Sequence, residues 1–128
     1  MNMDNLFPDI FLIDDDDAIR NSTSALLNSQ GISVIQFNSA EDFLSRTDNT
    51  IRGCVISDFH MKEGLNGIDL LKRMQMSDYQ LPVIIISGSL TEPDKVEAIA
   101  SGAYAILEKI DLPQCLLKLI NAALNETG

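Results

Sequence analysis

Short apolar runs recur five times along this chain, each followed by a stretch with helical spacing, and they limit the possible folds more than any other feature. Ile10-Phe11-Leu12-Ile13 is continuous rather than alternating, the pattern of a strand covered on both faces, and it stops at Asp14. From Asp16 to Gln30, Ile19, Leu26 and Leu27 fall on one helical stripe with Thr23 between them, and Gly31 offers a left-handed cap. Ile32 to Phe37 is rich in β-branched residues, and Ser39 with Asp42 has the form of a capping box opening a short helix. Cys54-Val55-Ile56-Ser57 makes a third strand that ends on Asp58. After a loop containing Gly64 and Gly67, Ile68, Leu71 and Met74 mark the third helix. Leu81-Pro82 introduces Val83-Ile84-Ile85-Ile86, which runs out at Ser87 and Gly88. Pro93 suits the first turn of a fourth helix and Gly102 its C-terminal cap. Ala105-Ile106-Leu107 then runs into Glu108 and Lys109, and Asp111 caps a last helix carrying Leu112, Leu116, Leu119, Ile120 and Ala123. Strands alternating with helices in this way predict an α/β fold, a doubly wound five-stranded parallel sheet with helices on both faces.

The 128 residues, 45% of them hydrophobic, suit a single domain over 1–128 with its core at about 9–124. Acidic residues outnumber basic ones 19 to 9, for a net charge of −10. Such a surface repels nucleic-acid backbones and anionic membranes. The two cysteines, Cys54 in an apolar run and Cys115 in a helical pattern, read as buried thiols of a reducing cytoplasm rather than a disulfide framework or a zinc site. No apolar stretch is long enough to span a bilayer, and the N-terminus lacks the pattern of a signal peptide. The expectation is a cytoplasmic protein with no membrane partner.

In open parallel sheets, ligands sit beyond the carboxyl ends of the strands, where the strand order reverses. Those ends carry the chemistry here: Asp14 and Asp15 after the first strand, Asp58 after the third, Ser87 after the fourth and Lys109 after the fifth. Read alone, Asp14-Asp15-Asp16-Asp17 is a solvated helix N-terminus, which suits Asp16 and Asp17. Lys109 alone would be a surface lysine and Ser87 a strand-end serine; only together do they define a site. Carboxylates gathered in one cleft repel by about 4 kcal/mol per close pair at an effective dielectric near 20, so they call for a cation. An all-oxygen ligand set favours Mg²⁺ over zinc or copper. An ammonium and a hydroxyl beside that cation suit an anion, which points to phosphoryl chemistry.

Phe11-Leu12-Ile13-Asp14-Asp15, Val55-Ile56-Ser57-Asp58, Val83-Ile84-Ile85-Ile86-Ser87-Gly88 and Glu108-Lys109 together resemble the response-regulator receiver family of two-component signalling, over nearly the whole chain. The resemblance implies a flavodoxin-like strand order 2-1-3-4-5. It implies Asp58 as phosphoacceptor, and Asp14, Asp15, Asp58 and the backbone carbonyl of His60 as Mg²⁺ ligands, directly or through water. Ser87 would bond the phosphoryl group, Lys109 would pair with it, and the small Gly88 would leave access. The implied partner is a sensor histidine kinase or a phosphotransfer protein, with a homodimer through helix four, strand five and helix five as the assembly to test. Ser39-Ala40-Glu41-Asp42-Phe43-Leu44 looks like receivers that precede helix-turn-helix transcription regulators. The chain would be a signalling domain rather than an enzyme, with only its own phosphoryl transfer and autodephosphorylation to catalyse.

Four features depart from the family pattern. Lys62 replaces the proline that commonly follows Met61, and the loop from Asp58 to Gly67 is one residue longer. Ile110 replaces a proline usually joined by a cis peptide; before Ile a cis bond costs about 2.5–4 kcal/mol, so trans is expected, with some displacement of Lys109. Ile106 stands where the family usually has the aromatic of its switch, and Tyr104, two positions earlier, falls on the same side if the extended segment includes it, or else in the loop before the strand. His60 reads as a plain loop histidine, its side chain without a catalytic role. Two other functions fit parts of the pattern. A degenerate receiver would bind partners without being phosphorylated. A phosphohydrolase of the haloacid-dehalogenase type would use Asp14 as nucleophile, Asp16 as acid and Ser87 in its second motif, but it needs acids beyond its lysine, where only Asp111 and Glu126 stand.

Overall fold

The computed structural model describes residues 8–108 and 114–127. In order these form β1 (Ile10–Ile13), α1 (Asp17–Ser29), β2 (Val34–Phe37), α2 (Ala40–Arg46), β3 (Cys54–Asp58), α3 (Gly67–Met76), β4 (Val83–Ser87), α4 (Glu92–Ala100), β5 (Ala105–Glu108) and α5 (Gln114–Thr127). The strands pair in parallel in the order β2-β1-β3-β4-β5, the flavodoxin-like arrangement expected from the sequence. Side chains alternate across a strand, so each one feeds two cores. Ile10 and Leu12 join Leu27 of α1 and Leu116 and Ile120 of α5. Phe11 and Ile13 join Phe43, Leu71 and Ala98 from α2, α3 and α4 on the other face. Burial on both faces is why the runs are continuous rather than alternating. On the second face Phe43 meets Phe37 and Phe11 edge to face at 5.3 and 5.9 Å, pairs that add about 0.5–1.5 kcal/mol each beyond area burial.

Helices α1 to α4 begin on side-chain caps, each worth about 1 kcal/mol. Asp16 accepts from the Ile19 amide at 3.0 Å, Ser39 from Asp42 at 2.9 Å and Thr91 from Asp94 at 3.2 Å. The reciprocal capping box expected at Ser39 occurs instead at α3, between Asn66 and Asp69. Asp42 turns its carboxylate to Arg46 at 3.0 Å.

Several local expectations are corrected, and the open one at Tyr104 is decided. β2 starts at Val34 rather than Ile32, because the Ile32 amide closes the end of α1 on the Leu27 carbonyl at 3.0 Å. Ile19 leaves the buried stripe and is 36% exposed, while Ser24 takes a buried place beside Leu27. Cys115 lies on the exposed side of α5; only Cys54 is buried. Tyr104 and Ile106 pack against opposite cores, since Tyr104 sits in the bend before β5, where the alternation has not begun. Among the described residues no helix is long and apolar enough to cross a membrane.

Candidate functional site

The chain runs from β1 outward to β2 and returns across β1 to β3, so the strand order reverses between β1 and β3. Ile13 pairs with Ser57 in register, which sets the next residues, Asp14 and Asp58, side by side where the two strands end. The Phe59 amide continues the ladder onto the Ile86 carbonyl at 2.8 Å and fixes the chain just beyond Asp58. Asp14 and Asp58 are 5% and 8% exposed, so their charges are only partly solvated. Asp15 joins them: one carboxylate oxygen from each of the three lies within 4.8 Å of the others. A cleft lined by Leu12, Ile19, Ile56 and Ile86, with Ser22 and Thr23, opens beside the pair. Because Asp14 and Asp58 are themselves buried, their repulsion is harder for water to screen. Three carboxylates with no nitrogen or sulfur ligand in the group fit a hard dication of the Mg²⁺ kind.

Several hydrogen bonds hold these acids. Arg20 reaches back from α1, donating through Nη1 to the Asp14 carbonyl at 2.7 Å and through Nε to Gln36 Oε1 at 3.0 Å. It thereby pins the turn after β1 to the end of β2. Asp14 Oδ1 accepts from the Asp16 amide at 2.9 Å, and Asp15 Oδ2 from the Lys62 amide at 2.8 Å. Asp16, the acid that a hydrolase with Asp14 as nucleophile would need, spends a side-chain oxygen on capping α1.

Ser87 ends β4 with its side chain fully buried. Its hydroxyl donates to the Ser89 carbonyl and accepts from the Ser89 amide, both at 3.2 Å. The His60 ring lies edge-on to Phe59, and its Nε2 is 3.2 Å from the same Ser89 carbonyl, so this side chain bridges the loops after β3 and β4. Ser87 pairs in register with Glu108. Lys109, the next residue after Glu108, lies outside the described residues, as do Ile110 and Asp111. The structure thus brings together Asp14, Asp15 and Asp58, with Ser87 at the end of the neighbouring strand. Sequence reasoning missed Arg20, whose place one turn into α1 could have flagged it. It also missed the Lys62 amide and Ser89, whose contributions are made by backbone atoms and leave no mark in side-chain chemistry.

A family model described as a response regulator receiver domain matches residues 10–121. The transcriptional regulatory protein FixJ of Bradyrhizobium diazoefficiens is 40% identical over 117 residues, covering 91% of this chain and 57% of that protein. The response regulator protein TodT of Pseudomonas putida is 37% identical over 115 residues, covering 90% of this chain and 50% of that protein. The chain thus spans about half the length of these curated relatives. The crystal structure of a CheY-like receiver domain protein from Methanospirillum hungatei superposes with a TM-score of 0.85 at 26% identity, covering 94% of this chain and 96% of that one.

Proposed function

The chain belongs to the response-regulator receiver domain family, and from that membership we propose that residues 1–128 act as one phosphorylation switch with Asp58 as the acceptor. The observation that carries this reading is the convergence of Asp14, Asp15 and Asp58 at the carboxyl ends of adjacent strands. Asp14, Asp15, Asp58 and the His60 carbonyl would hold Mg²⁺. Bound there, the ion would neutralise the carboxylates and the transferring phosphoryl oxygens.

The donor is a phosphohistidine of a sensor kinase or phosphotransfer protein. An Asp58 carboxylate oxygen attacks phosphorus in line, the new O–P bond forms as the N–P bond breaks, and the imidazole nitrogen leaves with the bonding pair. Lys109 pairs with the phosphoryl group, and the Ser87 hydroxyl exchanges its Ser89 partners for a phosphoryl oxygen. Autodephosphorylation by water returns Asp58 to its carboxylate. Loss of the Ser87–Ser89 bonds frees the loop that leads into α4, which connects the site to the face formed by α4, β5 and α5. That face already exposes Val96 and Ile99, 67% and 54% accessible, which supports its use in homodimerisation. With relatives named as transcriptional regulators, the output we infer is cytoplasmic control of transcription, without nucleic-acid contact by this domain itself.

Incubation with acetyl phosphate and Mg²⁺, borohydride trapping and mass spectrometry test the assignment. The expected label is on Asp58 and disappears in Asp58→Asn. A label on Asp14 would favour the hydrolase, and none, with no beryllium fluoride binding, the degenerate receiver.

A further inference from the structure

The loop between β3 and α3 is clamped to two carboxylates from distant parts of the chain. At one point the Lys62 amide donates to Asp15 Oδ2 at 2.8 Å, across 47 positions of sequence. At the other, the Leu65 amide donates to Glu41 Oε2 at 3.0 Å. Glu41 lies in the first turn of α2, which is anchored by the Ser39 cap and by fully buried Ala40 and Phe43, so its carboxylate is offered from a fixed base. Gly64 makes this approach possible: its φ of +77° is a left-handed conformation, and a Cβ there would fall within the contact distance of the Glu41 carboxylate. Beyond Leu65 the chain is held by the Asn66–Asp69 box and by the Gly67 amide on the Phe59 carbonyl at 2.9 Å. Lys62 is itself exposed, so its amide is steadied from both sides rather than by packing.

We propose that Glu41 and the backbone N–H at position 62 are positioning elements of the metal site, which orient Asp15 toward Asp14 and Asp58. The inference rests on the metal reading given above. A carboxylate has lone pairs beyond the one the amide uses, so the bond fixes the rotation of Asp15 without consuming its capacity as a ligand. Rotamer freedom that Asp15 would otherwise lose on cation binding is already lost. Proline at 62 could not do this, because it has no N–H to donate.

The test is Mg²⁺ affinity of the 128-residue protein by calorimetry, with exchange of the Lys62 amide followed by NMR. Lys62→Pro is compared with Lys62→Ala, which loses the same charge and keeps the amide. Glu41→Ala is compared with Glu41→Gln, which keeps an acceptor oxygen. Lys62→Pro relative to Lys62→Ala, and Glu41→Ala relative to Glu41→Gln, should each weaken Mg²⁺ binding by about tenfold, the lower end of what loss of an outer-shell partner costs. Glu41→Ala should also speed Lys62 amide exchange, with melting of the metal-free protein nearly unchanged. If Lys62→Pro does not fold, the Glu41 pair and the exchange rate decide. Wild-type Mg²⁺ binding with equal affinity in both pairs overturns the positioning role alone; no Mg²⁺ binding by the wild type overturns it together with the metal reading.

Discussion

Cys54 is fully buried where β3 passes between β1 and β4, and that burial pushes its thiol up to about 12. A thiol reacts as its thiolate, so Cys54 is inert at neutral pH on grounds of both access and ionisation. Cys115 is exposed on α5 and within reach of a reagent in solution. Ellman's reagent at pH 8 should therefore titrate one thiol in the native protein, two in denaturant, and none in native Cys115→Ser. Rapid labelling of both native thiols would show that the sheet interior is not closed. The same shift fixes the alkaline behaviour. A folded-state pKa above the ordinary value of 9 favours the protonated thiol in the fold, so this contribution is complete below about pH 9 and is lost as pH rises toward 12. The stability difference between wild type and Cys54→Ala should narrow across that window.

At the scale of elements, the proposed switch would work through α4 and β5 without the aromatic usual in the family. Ile106 is half-buried against the core under α2, α3 and α4, opposite Ile85 in the register, and as a β-branched residue it has few χ1 alternatives. Tyr104 faces the other core and cannot act in its place. On that proposed route the loop after Ser87 is left as the moving part, and Lys95 of α4 links the first residue of its own helix, Glu92 at 3.3 Å, to Glu108 of β5 at 3.4 Å. Exposed ion pairs of this kind are screened by salt and yield when the loop shifts. Beryllium fluoride should speed amide exchange from Gly88 to Glu92 in the wild type. Ile106→Tyr should add a larger phosphorylation-dependent gain in dimerisation, read by analytical ultracentrifugation. Strong wild-type dimerisation that Ile106→Tyr leaves unchanged, with no altered exchange in that loop, would refute this route. The elements themselves were legible in the sequence because continuous apolar runs and helical stripes report burial directly, and Asp14, Asp15, Asp58 and Ser87 followed from where those runs stop. What escaped was set by contacts between distant loops: Glu41 on the Leu65 amide and His60 on the Ser89 carbonyl obey no periodicity. For Tyr104 the sequence leaves two places open, and the structure selects the one before β5, where period-two alternation does not apply.

For the molecule as a whole, the cost of the acidic site is a matter of folding. Unfolding takes Asp58 away from the adjacent Asp14 and Asp15, whereas the fold holds one carboxylate oxygen of each within 4.8 Å of the others in a chain whose net charge is already −10. A cation that binds only the assembled cluster therefore stabilises the native state, by about 2.7 kcal/mol at a hundredfold excess over its Kd. For a domain of this size each kcal/mol moves the melting temperature by roughly 2–8 °C, so Mg²⁺ at that hundredfold excess should raise it by about 10 °C. Sodium chloride at equal ionic strength screens the surface charge but cannot bridge three carboxylates, and it should recover only a small part of the rise. Asp58→Asn removes one of the like charges, so the variant should melt higher than wild type without metal and gain less when Mg²⁺ is added. The two changes are linked, because the repulsion that Asn relieves is the same one that drives the cation in. Equal melting temperatures in Mg²⁺ and in matched sodium chloride, for wild type and variant alike, would mean that the cluster gains no specific stabilisation from a divalent ion.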